Sequence, residues 1–168
     1  MKNKQKILIV GTGAVGGYFG GKLSQAGAAV SALCRSDYDI VKKNGISIKS
    51  VNGDFIFHPE EVVRSIADYG TIPDYILVAT KALPEIDIPS IIRKKVSPAT
   101  SIVLLQNGIG IDDPLQRAFP ENELISALAF ICAGRTGLGE IYHQEFGRIV
   151  IGRYPSGRSA KVEILGEL

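Results

Sequence analysis

Residues 6–23 read KILIVGTGAVGGYFGGKL, a short apolar run that meets a glycine-dense turn and then a helix-like pattern. Ile7, Leu8, Ile9 and Val10 form a continuous apolar run ended by Gly11, as expected of a strand buried on both faces of a parallel sheet. Gly11, Gly13 and Gly16 follow as G-x-G-x-x-G, the spacing of a strand-to-helix turn that passes a pyrophosphate. Gly11 makes the tight turn, Gly13 lets backbone approach the phosphates, and Gly16 lets the helix lie close on the strand. An anion would then sit on the unpaired amides at the helix N-terminus. The helix is expected over Ala14 to Gln25, with Val15, Tyr18, Phe19 and Leu23 as its apolar stripe. Gly17, Gly20 and Gly21 each cost roughly 1 kcal/mol against alanine inside a helix, so their presence implies close packing.

Farther along, Ala29 to Leu33 reads as a second strand and Asp37 to Lys43 as a short helix. Gly45 to Ser50 and Asp54 to His58 alternate in polarity around Val51-Asn52-Gly53-Asp54, a hairpin signal, and predict an antiparallel excursion from the main sheet. Tyr75 to Thr80 and Ser101 to Leu105 are buried strands. A crossover helix is expected between them over Glu85 to Lys95, limited by Pro84 and Pro89. Leu124 to Ala133 reads as a long strand, Arg135 to Gly139 as a turn, and Glu140 to His143 with Arg148 to Ile151 as a final antiparallel set. The order predicts an α/β fold, a Rossmann-type doubly wound and mainly parallel sheet with a late antiparallel extension.

The chain has 168 residues, 45% of them apolar, and a net charge of +2. That length allows one well-cored domain, and the composition is that of a globular protein. Mixed charge without interleaved aromatic and basic residues argues against a nucleic-acid partner. The basic MKNKQK leads into only four strong apolar residues, too few for a signal-peptide core or a membrane span, so a cytoplasmic location is expected. Cys34 and Cys132 lie in apolar runs without metal-ligand spacing and are expected to be small buried hydrophobes. His58 and His143 lack partner spacing and are read as structural; no metal site is expected.

The strand before the glycines and the helix after them point to a dinucleotide ligand. A site for NAD expects Asp or Glu about 20 residues on, whereas Arg suits a 2′-phosphate. The second strand ends Leu33-Cys34-Arg35, and a guanidinium forms a charge-assisted fork with phosphate. This favours NADP, with Asp37 leaving the other role open. Lys81 and Asn107 stand just past strand ends, where open parallel sheets bind ligands. A lysine there supplies charge to a phosphate or keto acid, and an asparagine can donate to and accept from a ribose or amide.

GTGAVGGYFGGKL, Arg35, VATKA around Lys81, LQNGIG around Asn107 and the late GEIYHQEFGRIVIGRY together resemble ketopantoate reductase, the 2-dehydropantoate 2-reductase family, over nearly the whole chain. The resemblance implies an N-terminal Rossmann domain for NADPH and a helical C-terminal domain that completes a cleft for a small-molecule 2-keto acid. The reaction it implies is reduction of ketopantoate to pantoate, for pantothenate and coenzyme A synthesis. Carried onto this sequence, it implies that Gly11, Thr12, Gly13, Ala14, Val15 and Gly16 hold the pyrophosphate and Arg35 the 2′-phosphate. Lys81 and Asn107 would face the nicotinamide and the substrate, and Ala133 would line the cofactor through its backbone.

The family's general-acid lysine and substrate-binding asparagines belong to the C-terminal domain, which would begin beyond Leu168, so no catalytic residue is expected here. Loss of general-acid catalysis removes ~100- to 10,000-fold in rate. Residues 1–168 are therefore expected to be an NADP-binding domain, inactive alone, that ends at the start of or within a helix: Ser159 to Leu168 puts Val162, Leu165 and Leu168 on one side with no stop signal. An exposed apolar face there would favour homo-oligomer formation. The competing readings are a stand-alone NADP-binding regulatory module and a related 2-keto acid or polyol-phosphate dehydrogenase.

Overall fold

Apolar runs four or five residues long, separated by glycine turns and short helices, leave the chain one way to bury them: strands side by side with helices on both faces. The computed structural model describes residues 4–168, so the first half of the MKNKQK segment lies outside the described residues. The strands are β1 (Lys6–Val10), β2 (Ala29–Leu33), β3 (Ile46–Ser50), β4 (Phe55–Phe57), β5 (Val62–Val63), β6 (Tyr75–Val78), β7 (Ser101–Leu104), β8 (Leu124–Gly137) and β9 (Glu140–Arg153). The helices are α1 (Ala14–Gln25), α2 (Tyr38–Asn44), α3 (Ile88–Ile92), α4 (Asp113–Ala118) and α5 (Ala160–Gly166).

One sheet contains all nine strands of the described residues, in the order β4-β3-β9-β8-β7-β6-β1-β2-β5. Neighbours from β5 through β2, β1, β6 and β7 to β8 all run parallel, which makes the doubly wound Rossmann core. The order reverses between β1 and β6, and ligands of such sheets bind beyond the strand ends at that reversal.

Alternation along the strands divides the core. Ile7 and Ile9 face a layer with Tyr18 and Phe19 of α1, Val41 of α2, and Val162 and Leu165 of α5. Leu8 and Val10 face Ile88 and Ile92 of α3, Leu115 of α4, Ile66 and Tyr69.

The glycine-rich α1 packs as its composition implies. Cβ atoms on Gly20 or Gly21 would crowd Ile9, Phe55 and Phe57, and one on Gly17 would overlap Ile141.

Several elements depart from the sequence expectation. The helix expected over residues 85–95 is α3 followed by a single 3-10 turn, Arg93–Lys95. Asp87 caps α3 by accepting from Ser90 N–H at 3.2 Å, and Pro89 lies in the first helical turn, where its missing N–H is not needed. Residues 135–137 continue β8 rather than turning, and β9 is one strand of 14 residues. It stays continuous because a bulge at Phe146 (φ 66°) and Gly147 (φ 100°) absorbs the break in alternation.

The β3–β4 hairpin is not a separate excursion, since β3 pairs in parallel with β9 and extends the main sheet. Cys132 is exposed on the β8–β9 ribbon, where it donates to Gln144 Oε1 at 3.1 Å, whereas Cys34 is buried. The C-terminal helix spans Ala160–Gly166, capped by Ser159 Oγ accepting from Val162 N–H. Leu168 lies past it and is exposed.

Candidate cofactor cleft

The turn from β1 into α1 is built by three glycines with different surroundings. Gly11 has φ 100°, and a Cβ there would press on the backbone and methyl of Thr80 at 2.8 Å. A Cβ on Gly16 would overlap the Gly11 carbonyl, which fixes how closely α1 lies on β1. Gly13, the residue before α1, has nothing within 4 Å of its Cβ direction. The backbone is therefore bare on the side that opens to solvent. Among the described residues no side chain caps the helix and no acidic residue stands in its first turn, so its leading amides could hold an anion.

These glycines open into a cleft of about 590 Å³ at the β1/β6 reversal. Its rim carries Arg35, Arg64, Lys81, Lys94 and Arg135 against one carboxylate, Asp37. Leu83, Ile86, Ile91 and Ile66 give it an apolar wall. Such a cleft can take an elongated ligand with several phosphate charges and a flat apolar end.

Asp37 is buried. Its Oδ2 lies 3.5 Å from Thr12 Oγ1, which donates, and 3.9 Å from Arg135 Nη2. The Thr12 hydroxyl is shared with Cys34 Sγ at 3.4 Å. Burial pushes the Cys34 thiol up to about 11; the Thr12 hydrogen bond opposes this and the Asp37 charge adds to it. Arg35 is exposed and makes no ion pair among the described residues. Gln106 Nε2 donates to Thr80 O and Oγ1 at 3.1 and 3.0 Å, tying together the loops after β6 and β7.

Of the residues singled out in the sequence, Gly11, Thr12, Gly13, Arg35 and Lys81 line this cleft. Gly16 shapes it from behind, while Ala14 and Val15 pack against the core as the first residues of α1. Asn107 stands on an exposed loop outside the cleft lining, and Ala133 packs against the core opposite His143 on β9.

The sequence reading missed Arg64, Lys94 and Arg135. Arg64 follows a strand of two residues, too short for periodicity to reveal. Arg135 falls in a stretch whose sequence predicts a turn, yet β8 carries it to the cleft. His143 is fully buried; its Nδ1 lies 2.8 Å from Ser50 Oγ and its Nε2 3.0 Å from Glu145 O, and its ring lies 4.3 Å from that of Tyr18. Among the described residues no group of acidic, cysteine and histidine side chains could hold a metal ion, and no helix is long and apolar enough to cross a membrane.

A 2-dehydropantoate 2-reductase of a Nostoc species is 35% identical to this chain over 159 residues, covering 94% of this chain and 49% of the relative. Among solved structures, the 2-dehydropantoate 2-reductase of Methylococcus capsulatus superposes with a TM-score of 0.91 at 47% identity, covering 95% of this chain and 52% of that one. The enzyme of that name from Geobacter metallireducens gives 0.86 at 34% identity, with 95% and 52% covered. The chain thus spans about half the length of the relatives it matches. The model of the family described as ketopantoate reductase PanE/ApbA matches residues 7–156. With the doubly wound sheet and its glycine turn, this match places the chain in the ketopantoate reductase family.

Proposed function

We propose that this chain is the NADPH-binding part of a reductase that converts 2-dehydropantoate to pantoate, a step of pantothenate and coenzyme A synthesis. The observation that carries the proposal is the pairing of a bare Gly13 backbone with the exposed Arg35 at the same sheet end. The reduced dinucleotide, when bound, supplies a hydride for a ketone. The residues fit such a ligand. Gly11, Thr12, Gly13 and the α1 amides would hold the pyrophosphate, and Gly16, with Ala14 and Val15, keeps the helix in place beneath it. Arg35 would take the 2′-phosphate.

Asp37 suits the diol role of an NAD site poorly. Its carboxylate is buried and already faces Thr12 and Arg135, which supports NADP over NAD. Lys81, exposed past β6, would supply positive charge to the nicotinamide end or a keto-acid carboxylate. Asn107 would reach the same region from its loop, and Ala133 would contribute only backbone.

Residues 1–168 form the cofactor half, and the substrate wall and general acid belong to the other half of the relatives' length. The exposed apolar side chains Leu128, Phe130 and Val150 on the β8–β9 ribbon, which alternate with its core-facing residues, support a face that another domain covers. The intact enzyme would act on a small 2-keto acid in the cytoplasm.

Titration with NADPH and NADH, followed by nicotinamide fluorescence, tests the assignment. NADPH should bind more tightly, and equal affinity or a preference for NADH refutes the role of Arg35. Ketopantoate added to this chain with NADPH should give no turnover; robust NADPH consumption would overturn the division of labour between the two halves.

A further inference from the structure

Two arginines leave the same end of the sheet from neighbouring strands. Strand β2 pairs in parallel with β5, Leu33 opposite Val63, and the register continues one step further, with Cys34 N–H donating to Val63 O at 2.9 Å. Arg35 therefore follows β2 by two residues while Arg64 follows β5 by one, on strands about 4.8 Å apart. Both residues line the cleft.

Arg64 is held from two sides. Its guanidinium lies 4.4 Å from the centroid of the Tyr38 ring and its Nη2 lies 2.6 Å from Asp39 Oδ2. Tyr38 and Asp39 open helix α2, which begins three residues after Arg35.

We propose that Arg64 is the second arm of a clamp for the adenosine 2′-phosphate, and that Asp39 occupies this arm until the phosphate arrives. The inference rests on the NADP reading above and extends it to a residue that the glycine motif does not reach. Guanidinium forks suit phosphate, and two of them on adjacent strands can share the three outer oxygens of a phosphate monoester. The Tyr38 ring preorganises Arg64 by covering one face of the guanidinium.

The Arg64–Asp39 pair leaves its partners 57% and 81% exposed. Exposed ion pairs of this kind are weak, so a phosphate dianion can take the place of the carboxylate. Asp39 then competes with the phosphate for Arg64 and lowers the affinity for 2′-phosphate ligands alone. A dinucleotide with a 2′-hydroxyl brings no charge to displace it, and a dinucleotide with a 2′-phosphate does.

The test compares wild type with R64A, R64K, R35A and D39N in titrations with NADPH, NADH, adenosine 2′,5′-bisphosphate and 5′-AMP. Thermal melts report whether each variant folds. R64A should weaken NADPH and the bisphosphate about tenfold and leave NADH and 5′-AMP unchanged, with R64K recovering part of the loss. D39N should tighten NADPH and the bisphosphate alone, by about threefold.

If R35A loses the preference for NADPH while R64A and D39N bind all four ligands like wild type, the clamp is refuted and the NADP reading survives. If wild type prefers NADH or binds no dinucleotide, the NADP reading fails and the clamp fails with it. Should R64A fail to fold, R64K and D39N carry the test: a D39N protein with unchanged selectivity, together with an R64K protein that binds NADPH like wild type, overturns the proposal.

Discussion

Gly16 stands so close to Gly11 that a methyl carbon on Gly16 would overlap the Gly11 carbonyl oxygen, whereas Gly13 between them faces open space. Replacing either residue by alanine therefore has opposite meanings. Gly16→Ala must push α1 off β1, an overpacking defect of about 1–3 kcal/mol that urea unfolding will detect, with loss of dinucleotide binding in whatever remains folded. Gly13→Ala has φ −70° and room for its methyl, so its stability should stay within about 1 kcal/mol of wild type. Its affinity for NADPH should fall sharply, because the methyl enters the space a pyrophosphate needs. A Gly13→Ala protein that binds like wild type would refute the placement of the phosphates.

Salt should weaken NADPH binding strongly. Five cationic residues and one carboxylate line the cleft, and exposed charges are screened over ~10 Å at 0.1 M and ~3 Å at 1 M salt. Titrations at those two concentrations should show a several-fold loss of affinity. A flat response would mean that the apolar wall rather than the charged rim holds the ligand.

The two thiols should react very differently. With its pKa raised to about 11 by burial, Cys34 is ionised to the extent of only about one part in a thousand at pH 8. It is also shielded from solvent, while Cys132 is exposed on the ribbon. Alkylation of the folded protein followed by peptide mass spectrometry should therefore label Cys132 alone, with Cys34 labelled only after denaturation.

Stability should decline in alkali. The folded state holds the Cys34 proton up to about 11 against an ordinary 9.0, and burial raises the Tyr75 hydroxyl from 10.0 to about 12. Between the unfolded and folded values the native state binds more protons than the unfolded chain, so unfolding free energy falls as pH rises. The fall should begin near pH 9 and continue towards pH 12. Cys34→Ala should remove part of the slope at the lower end, as measured by denaturant midpoints across the series.

Phe146 holds φ 66° and is 68% exposed. A left-handed conformation is costly for a bulky residue and tolerated by asparagine. Phe146→Asn should raise stability by about 0.5–1 kcal/mol, with the β8–β9 register unchanged. A loss of stability in thermal melts would mean that the exposed ring contributes more than the backbone conformation costs.

Strong local patterns made α1 and β2 readable to the residue, because apolar runs and glycine turns each have a single structural solution. Val62–Val63 escaped because two residues carry no period, and α4 because its one buried side chain, Leu115, shows no stripe. The long ribbon was split into pieces for a different reason. Its outward residues include Phe130, Tyr142 and Phe146, which blur the alternation that a solvated strand would show. In the cleft the sequence pointed to Gly11, Thr12, Gly13, Arg35 and Lys81, all just past strands that read as mainly apolar runs. Arg64 and Arg135 reach the same space through strand pairing, which no local window contains.

The parallel pairing of β3 with β9 joins residues 47–50 to residues 140–143. A ribosome delivers the β3–β4 hairpin long before its neighbour exists. Until Ile141 has emerged, Ile46 and Ile48 lack the strand that flanks them, and the Gly17 surface of α1 lacks its seat. The glycine turn is encoded first, yet the platform beneath its helix is completed by one of the last strands to be made.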